Sequence, residues 1–321
     1  MAGTTDFVAA QRVNRRNTAL LLAGLTALAA LVGYLVGWLV EAEATSDVPA
    51  WSRLGIGLAG LMAIVSIGWS GLSLALGDRM VLAMANAHEI EKAQAPQLYN
   101  VVEEMAIAAG VAMPRVMVVE TDALNAFATG TRTSNGTIAV TRGLLDALNR
   151  DELQGVVAHE MAHLANLDTR YMVVVGVTVG LIALVCDAIL RSLRWGSFSR
   201  GAKDNNKGSG GGGGAVLLVV LLIAVAILAP IAAKFVQMAV SRQREYLADA
   251  TSVQFTRNPE GLVSALRKLA DKAAPFPGVS RATQHLFIVN PVQTFTAKSS
   301  ALLATHPDIA DRIARLRDLG R

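Results

Sequence analysis

The sequence predicts a mainly α-helical, multi-span integral membrane protein that also contains a small β-hairpin or sheet and a metal-binding catalytic domain. Three observations support this fold class. The chain of 321 residues is 53% hydrophobic with a mean hydropathy of +0.43, which is too apolar for a soluble domain alone. Long uncharged segments lie at both ends of a more polar region. A His-Glu-x-x-His motif occurs at residues 159–163 within that region.

The first predicted membrane span is residues 17–40, a stretch without a charged side chain. It is long enough to cross about 30 Å of hydrocarbon and longer than the apolar core of a secretory signal. Arginines that precede a span favour the cytoplasmic side, and three of them precede this one: Arg12, Arg15 and Arg16. We therefore predict an uncleaved helix that starts in the cytoplasm.

A second span is predicted at residues 54–76, which form another apolar run. The short loop before it, residues 41–53, holds three acidic side chains and one arginine, as expected for a loop outside the cytoplasm. Residues 1–76 are therefore expected to form an N-terminal transmembrane hairpin that returns the chain to the cytoplasm.

Residues 77–170 have the mixed polar and apolar composition of a folded domain and are predicted to form the first part of the catalytic domain. A helix is expected to begin near Pro96, and Val116 to Val119 is expected to form a buried strand. Two short segments, 125–129 and 137–140, flank an Asn-Gly pair and predict a β-hairpin. Such a hairpin could offer its edge to an extended peptide.

The motif helix has a clear predicted start. Asn149 followed by Glu152 three residues later is a capping-box pattern, and nothing is expected to break the helix before Tyr171. On that helix, His159 and His163 project from one face because they are four residues apart. Their imidazole nitrogens suit zinc, and Glu160 beside them can accept a proton from a water on the metal.

A second transmembrane or re-entrant hairpin is predicted at residues 171–233. Its apolar runs are 171–190 and 215–233, joined by a basic loop with a flexible Gly-rich tract at 208–214. A full crossing would put the basic loop outside, against the positive-inside tendency, and a buried core helix is the alternative for 171–190.

A two-histidine site needs a third ligand, and the helix predicted from Ser241 to Phe255 supplies a candidate. Glu245 and Asp249 lie four residues apart on one of its faces. Antiparallel spans would bring this helix beside the motif helix, just above the membrane. Spacing alone equally allows Glu245 to be an exposed carboxylate paired with a neighbouring arginine.

Three further motifs combine with the His-Glu-x-x-His helix into a recognisable pattern. This pattern resembles the HtpX family of membrane-integrated zinc metalloproteases, which are distant relatives of the CAAX prenyl endoproteases. The matching residues are His159 to Asp168, Asn125 to Ala128, Ser241 to Asp249, and the C-terminal segment with Thr305-His306-Pro307 and Arg312-Ile313. The resemblance implies a zincin-like metalloprotease domain completed by residues 234–321, with Glu245 as the third zinc ligand. It also implies that the strand of Asn125, Ala126, Phe127 and Ala128 lines the substrate cleft.

Two more residues are candidates for supporting roles. Asp249 could orient a ligand histidine from behind, and a helix-surface ion pair is its competing role. His306 precedes a proline and an amphipathic helix, where it could donate a hydrogen bond to the oxyanion. A loop histidine without any role at the metal is the competing interpretation of His306.

These observations predict an endopeptidase with one Zn²⁺ per chain, acting from the cytoplasmic face of the bacterial inner membrane on misfolded or damaged membrane proteins. A processing protease for one substrate, such as a prenylated peptide, is the nearest alternative. A non-catalytic zinc-stabilised membrane scaffold is a more distant one. Nucleic acid is not an expected partner because the basic residues flank apolar runs, and a transporter is disfavoured because those runs contain a single ionisable residue, Asp187.

Overall fold

The computed structural model describes residues 7–45, 50–175, 177, 242–271 and 307–319. The Gly-rich tract, most of the predicted second hairpin and His306 lie outside the described residues. The chain divides into two compact units. One contains Met1–Thr18, Ser73–Val177 and Val236–Arg321, and the other contains Ala19–Leu72 and Thr178–Phe235.

Two long apolar helices open the chain. Helix α1 is Phe7–Thr45 and helix α2 is Arg53–Met84, and both are long and apolar enough to cross a membrane. Few of their residues are buried, whereas the core helix of a soluble protein would be mostly buried; large side chains exposed on them include Leu20, Leu31, Ile64, Val65 and Ile67. Exposure of such side chains is expected where lipid is the solvent.

Glycine lets α1 and α2 approach closely within the second unit. A Cβ atom added to Gly37 would lie 2.6 Å from the Cα of Gly55. Small residues at such a crossing are typical of helix pairs in membranes.

The first unit contains a mixed four-stranded sheet with the order β1-β2-β4-β3. The strands are Ala87–Glu89 (β1), Arg115–Val119 (β2), Ala126–Thr129 (β3) and Thr137–Thr141 (β4). Strand β2 runs parallel to β4, and the other two pairings are antiparallel. The predicted hairpin is confirmed as β3 and β4, while β1 and the parallel pairing were not predicted because they depend on distant partners.

The turn of the hairpin differs from the predicted one. The tight turn is Arg132 to Asn135, where the Asn135 N–H donates to the Arg132 carbonyl at 3.2 Å and the Asn135 side chain accepts from the Arg132 N–H at 2.8 Å. The turn predicted at Asn135-Gly136 is therefore displaced toward the N-terminus and ends at Asn135. The side-chain oxygen of Asn135 accepts from the Arg132 N–H and thereby stabilises a turn that precedes the Asn-Gly pair.

Three helices accompany the sheet. Pro96–Ala109 (α3) lies between β1 and β2 in sequence, and Arg142–Ala147 (α4) and Arg150–Asn166 (α5) follow β4. Proline occupies the first turn of α3, and Gly110 ends that helix in the left-handed conformation, as expected for these residues. The predicted capping box of α5 is confirmed, because the Asn149 side chain accepts from the Glu152 N–H and the Glu152 carboxylate accepts from the Asn149 N–H.

The end of α5 was predicted wrongly. The helix stops at Asn166, Leu167 is left-handed with φ of 59°, and a new helical stretch covers residues 168–175. A leucine rarely adopts this conformation, so tertiary contacts have to hold it there. Those contacts come from α1: Gln11 and Asn14 donate side-chain hydrogen bonds to the carbonyls of Ala165 and Asn166.

The remaining described helices are Arg242–Thr256 (α6), Pro259–Asp271 (α7) and Ile309–Leu319 (α8). The apolar face of α7 packs on α5 so closely that a Cβ on Gly155 would lie 2.5 Å from the Leu262 nitrogen. The predicted amphipathic helix is confirmed as α8, with Leu316 in the same hydrophobic core. This core, formed by α3, α5, α7 and the sheet, holds the motif helix in place.

Candidate metal centre

The His-Glu-x-x-His motif lies in the buried centre of α5. His159, Glu160 and His163 are 1%, 4% and 4% exposed, respectively. One helical turn separates the two histidines, so their rings meet edge to face with centroids 4.8 Å apart. Their Nε2 atoms are 3.3 Å apart, which directs both of these nitrogens toward the same point.

Glu245 on α6 faces that point. Its carboxylate oxygens lie 3.7 Å from the Nε2 atom of His159 and 3.6 Å from that of His163. The three ligand atoms lie within 4.8 Å of one another, and all three residues are buried. Two imidazole nitrogens and one carboxylate oxygen that converge in this way fit a metal ion of the zinc type.

Each histidine is oriented from behind by a carboxylate. The Nδ1 atom of His159 lies 2.9 Å from Asp249 Oδ1, and the Nδ1 atom of His163 lies 2.9 Å from Asp168 Oδ2. A proton on each Nδ1 leaves the Nε2 lone pair for a metal, which is the usual arrangement around ligand histidines. The two histidines therefore suit a metal by residue type, and their contacts with carboxylates favour the tautomer that a metal needs.

These carboxylates also affect the metal-free protein. Burial would lower the pKa of His159, but the hydrogen bond with Asp249 and the nearby Glu245 carboxylate outweigh it and raise the pKa to about 9. Burial likewise opposes protonation of His163, and the hydrogen bond with Asp168 raises the pKa of that ring. Without a metal, both rings therefore hold their protons more tightly than an exposed histidine does.

Arg312 on α8 is a buried member of the centre. It is 1% exposed and donates two hydrogen bonds to Asp249, from Nη2 to Oδ1 at 2.6 Å and from Nε to Oδ2 at 2.8 Å. Its Nη1 atom lies 3.7 Å from Glu245 Oε2. Burial would raise the pKa of Asp249, but the charge of Arg312 outweighs it and lowers the pKa to about 2, so Asp249 stays ionised.

Glu160 contacts the edge strand of the sheet. Its carboxylate interacts with the backbone N–H of Ala128 in β3, which favours the ionised form. Burial raises the pKa of Glu160 above the ordinary value for a glutamate. A buried carboxylate with a raised pKa beside a metal position is suited to accept a proton.

The predicted substrate strand forms the edge of the sheet. Asn125, Ala126, Phe127 and Ala128 are all buried at 2% exposure or less. Thr141 N–H donates to the Asn125 carbonyl, so the main-chain groups of Ala126 and Ala128 point away from β4. The Ala126 N–H is bound by the Asn125 side chain at 2.9 Å, and that of Ala128 by Glu160.

Sequence reasoning brought His159, Glu160, His163, Glu245 and Asp249 to one place, and the structure also brings them together. It assigned no role to Asp168 or Arg312, although both belong to the family pattern, and it missed Asn14, whose side chain donates to Asp168 at 2.7 Å. A signal existed for Arg312, because it interrupts the apolar stripe of an amphipathic helix and a buried charge needs a partner. His306 lies outside the described residues, and its role stays a prediction.

A buried His-Glu-x-x-His helix, together with a carboxylate on a second helix as the third candidate metal ligand, is typical of metal-dependent peptidases. A model of peptidase family M48 matches residues 92–319 of this chain. The chain belongs to peptidase family M48 and is a membrane-bound metalloprotease.

Similar proteins agree with this assignment and with the resemblance to the HtpX family. The protease HtpX homolog of Thermoanaerobacter pseudethanolicus is 38% identical over 309 residues, which cover 96% of both chains. That of Streptococcus agalactiae serotype III is 40% identical over 307 residues, which cover 95% of this chain and 97% of its own. The crystal structure of S. mikatae Ste24p matches with a TM-score of 0.43 and 16% identity, covering 98% of this chain and 66% of that one.

Proposed function

We propose that this protein is a zinc-dependent endopeptidase of the bacterial cytoplasmic membrane that hydrolyses misfolded or damaged membrane proteins. One observation carries the proposal. Glu160 lies buried between three side chains suited to hold a metal and the backbone of the edge strand β3. A proton acceptor, a metal position and a strand edge together are what hydrolysis of an extended peptide requires.

In this proposal His159, His163 and Glu245 hold one zinc ion per chain. When bound, zinc supplies a Lewis acid that lowers the pKa of a water in its coordination shell and polarises the scissile carbonyl. Glu160 accepts the proton of the attacking water on its carboxylate. It then delivers that proton to the amine nitrogen as the C–N bond breaks, and the raised pKa of Glu160 suits both transfers.

The substrate is proposed to lie extended along Asn125 to Ala128. Main-chain hydrogen bonds to an edge strand are independent of side-chain identity, so they tolerate many sequences, as quality control requires. The strand is buried, so binding requires this edge to open. Because Glu160 contacts the N–H of Ala128, a peptide on this edge passes directly beside the proton acceptor.

The proposed topology has four spans and a cytoplasmic active site, with the domain organisation given by the sequence: 1–76, 77–170, 171–233 and 234–321. The first turns of α1 contact the end of α5 through Gln11 and Asn14. Arginines cluster at the same end of α1. If those arginines remain in the cytoplasm, as such residues tend to do, the metal centre lies there too.

The catalytic proposal is tested with the full-length protein in detergent. We expect the Glu160→Gln variant to keep one zinc per chain while casein cleavage falls about 10²–10⁴-fold, because it lacks only the proton acceptor. Glu245→Ala should lose both zinc and activity. Exposed Glu120→Gln is the matched control and should retain both. An active Glu160→Gln variant would remove the proposed proton acceptor.

Substrate range and topology need separate measurements. Cleavage of denatured membrane proteins at many unrelated sites supports quality control, whereas cleavage confined to one sequence context would favour a dedicated processing protease. Alkaline phosphatase, which is active only outside the cytoplasm, should be active when fused between residues 46 and 49 and inactive when fused after residue 90. The reverse result would contradict a cytoplasmic active site.

A further inference from the structure

One buried side chain of the N-terminal membrane helix contacts the carboxylate that lies behind His163. Asn14 of α1 is 5% exposed, and its Nδ2 atom donates to Asp168 Oδ1 at 2.7 Å and to the Asn166 carbonyl at 2.9 Å. One turn earlier, Gln11 donates to the Ala165 carbonyl at 2.7 Å. Gln11 therefore contacts only the end of α5, while Asn14 also contacts a carboxylate.

That carboxylate is shared with a proposed metal ligand. Asp168 Oδ1 accepts from Asn14, and Asp168 Oδ2 lies 2.9 Å from the Nδ1 atom of His163. Asp168 is 1% exposed, and both of its oxygens are engaged. With one oxygen held by the amide of Asn14, the other is fixed in the direction that orients the His163 ring.

The two histidines are supported in the same way from opposite ends of the chain. Behind His159, Asp249 is held by the guanidinium of Arg312 on α8. Behind His163, Asp168 is held by Asn14 on α1. In each case a carboxylate orients the ring, and a donor from a helix remote in sequence fixes the carboxylate.

We propose that Asn14 is a positioning residue for His163, acting through Asp168, so that the first membrane helix forms part of the metal site. This inference rests on the metal-binding role proposed above for His163. Asn14 touches neither the metal position nor the substrate. Its effect should appear in how tightly and in what geometry the metal is held.

A purely structural role would give different results, because a cap on the end of α5 also stabilises the fold. Gln11 provides that comparison, since it caps the same helix end without contacting Asp168. A structural role predicts similar effects of Asn14→Leu and Gln11→Met on thermal unfolding and on zinc binding. A positioning role predicts that only the Asn14 substitution changes zinc binding beyond its effect on folding.

The experiment uses the full-length protein in detergent or nanodiscs, and it measures the zinc dissociation constant against a competing chelator. Outer-shell changes typically cost 10–100-fold in metal affinity, so Asn14→Leu should weaken zinc binding about 10-fold. Gln11→Met should change it less than about 2-fold, because no ligand carboxylate loses a partner. The absorption spectrum of the cobalt-substituted protein should shift for Asn14→Leu and stay unchanged for Gln11→Met.

A double-variant cycle tests the route through Asp168. Asp168→Asn alone should weaken zinc binding by about 10–100-fold, and Asn14→Leu should add less than about 2-fold in that background. If Asn14→Leu impairs folding, Asn14→Asp combined with Asp168→Asn restores a donor and an acceptor between the two positions. That pair should recover part of the thermal stability, because a carboxylate at position 14 cannot donate to the Asn166 carbonyl, and it should not recover zinc affinity, because His163 then faces a neutral amide.

The inference is overturned if Asn14→Leu weakens zinc binding no more than Gln11→Met, or if its full effect persists beside Asp168→Asn. It is also overturned if the paired Asn14→Asp and Asp168→Asn variant recovers wild-type zinc affinity. A failure of the proposed function looks different: the wild-type protein itself would then bind no stoichiometric zinc, before any substitution at Asn14 is compared.

Discussion

Arg312 and Asp249 form a bidentate ion pair beneath the metal position, with hydrogen bonds of 2.6 and 2.8 Å between two fully buried side chains. The same Asp249 carboxylate lies 2.9 Å from the Nδ1 atom of His159. An arginine fork fixes a carboxylate in both position and charge. The orientation of His159, a proposed metal ligand on α5, is therefore set through Asp249 by a residue on α8.

Replacing Arg312 should affect stability and metal binding together. Arg312→Met leaves the charge of Asp249 buried without its partner, which typically costs about 3–5 kcal/mol in the free energy of unfolding. Zinc affinity should fall about 10–100-fold because the carboxylate behind His159 loses its support. Thermal unfolding and chelator competition measure the two effects. Arg317→Met, at an exposed arginine of the same helix, is the control, and equal effects of both substitutions would contradict the assignment.

Zinc affinity should rise with pH. The pKa of His159 is about 9 in the metal-free protein, against 6.5 for an ordinary histidine, so zinc has to displace a proton below pH 9. Apparent affinity should increase about tenfold per pH unit for this proton and level off above pH 9. Chelator competition at a series of pH values measures the slope, and an unchanged affinity between pH 7 and 8.5 would contradict it.

The same shift predicts the pH dependence of metal-free stability. The folded state binds a proton that the unfolded state releases above pH 6.5, so stabilisation from His159 is complete below pH 6.5 and lost as the pH rises toward 9. The unfolding temperature of the metal-free protein should therefore fall over this interval. Asp249→Asn removes the main contact that raises the pKa, and it should shift the fall to lower pH.

Glu152 should matter far more than an exposed glutamate. It is 3% exposed and accepts hydrogen bonds from Ser264 and Lys268 of α7, each at 2.7 Å, besides capping α5. Glu152→Ala should cost about 1–3 kcal/mol, because the half-buried donors Ser264 and Lys268 lose their buried acceptor. Glu120→Ala breaks an exposed pair with Arg142 and should shift the unfolding temperature much less. Equal shifts would contradict this assessment.

Gly155 marks the closest approach of α5 and α7. A Cβ there would lie 2.5 Å from the Leu262 nitrogen, so Gly155→Ala has to separate the helices and should cost about 1–3 kcal/mol. Alanine normally stabilises a helix relative to glycine, and Gly68→Ala in α2, where nothing lies within 4 Å, should be neutral or stabilising. Thermal unfolding distinguishes the two, and a stabilised Gly155→Ala variant would refute the close contact.

Local signals explain what could be predicted from the sequence. The start of α5 depends on Asn149 and Glu152, which are three residues apart. His159 and His163 lie on the same face of α5 because they are one helical turn apart. Glu245 required knowledge of which helix packs on α5, and spacing alone left it undecided. The resemblance to a known family, rather than periodicity, favoured it as a ligand.

The remaining features depend on contacts between distant parts of the chain. The break after Asn166 is not encoded by glycine or proline, because side chains from α1 bind the last carbonyls of α5. The parallel pairing of β2 with β4 likewise joins segments separated by β3. Neither Asn14 nor Asp168 stands out in sequence, because each is significant only through the other.

The supports of the metal centre, Asn14 and Arg312, lie far apart in the sequence. A ribosome therefore completes the membrane helices at the beginning of the chain long before it adds the arginine behind His159. During that interval the nascent chain can be inserted into the bilayer with its metal centre unfinished. The metal centre can therefore reach its final geometry only after α8 has been synthesised and Arg312 has bound Asp249.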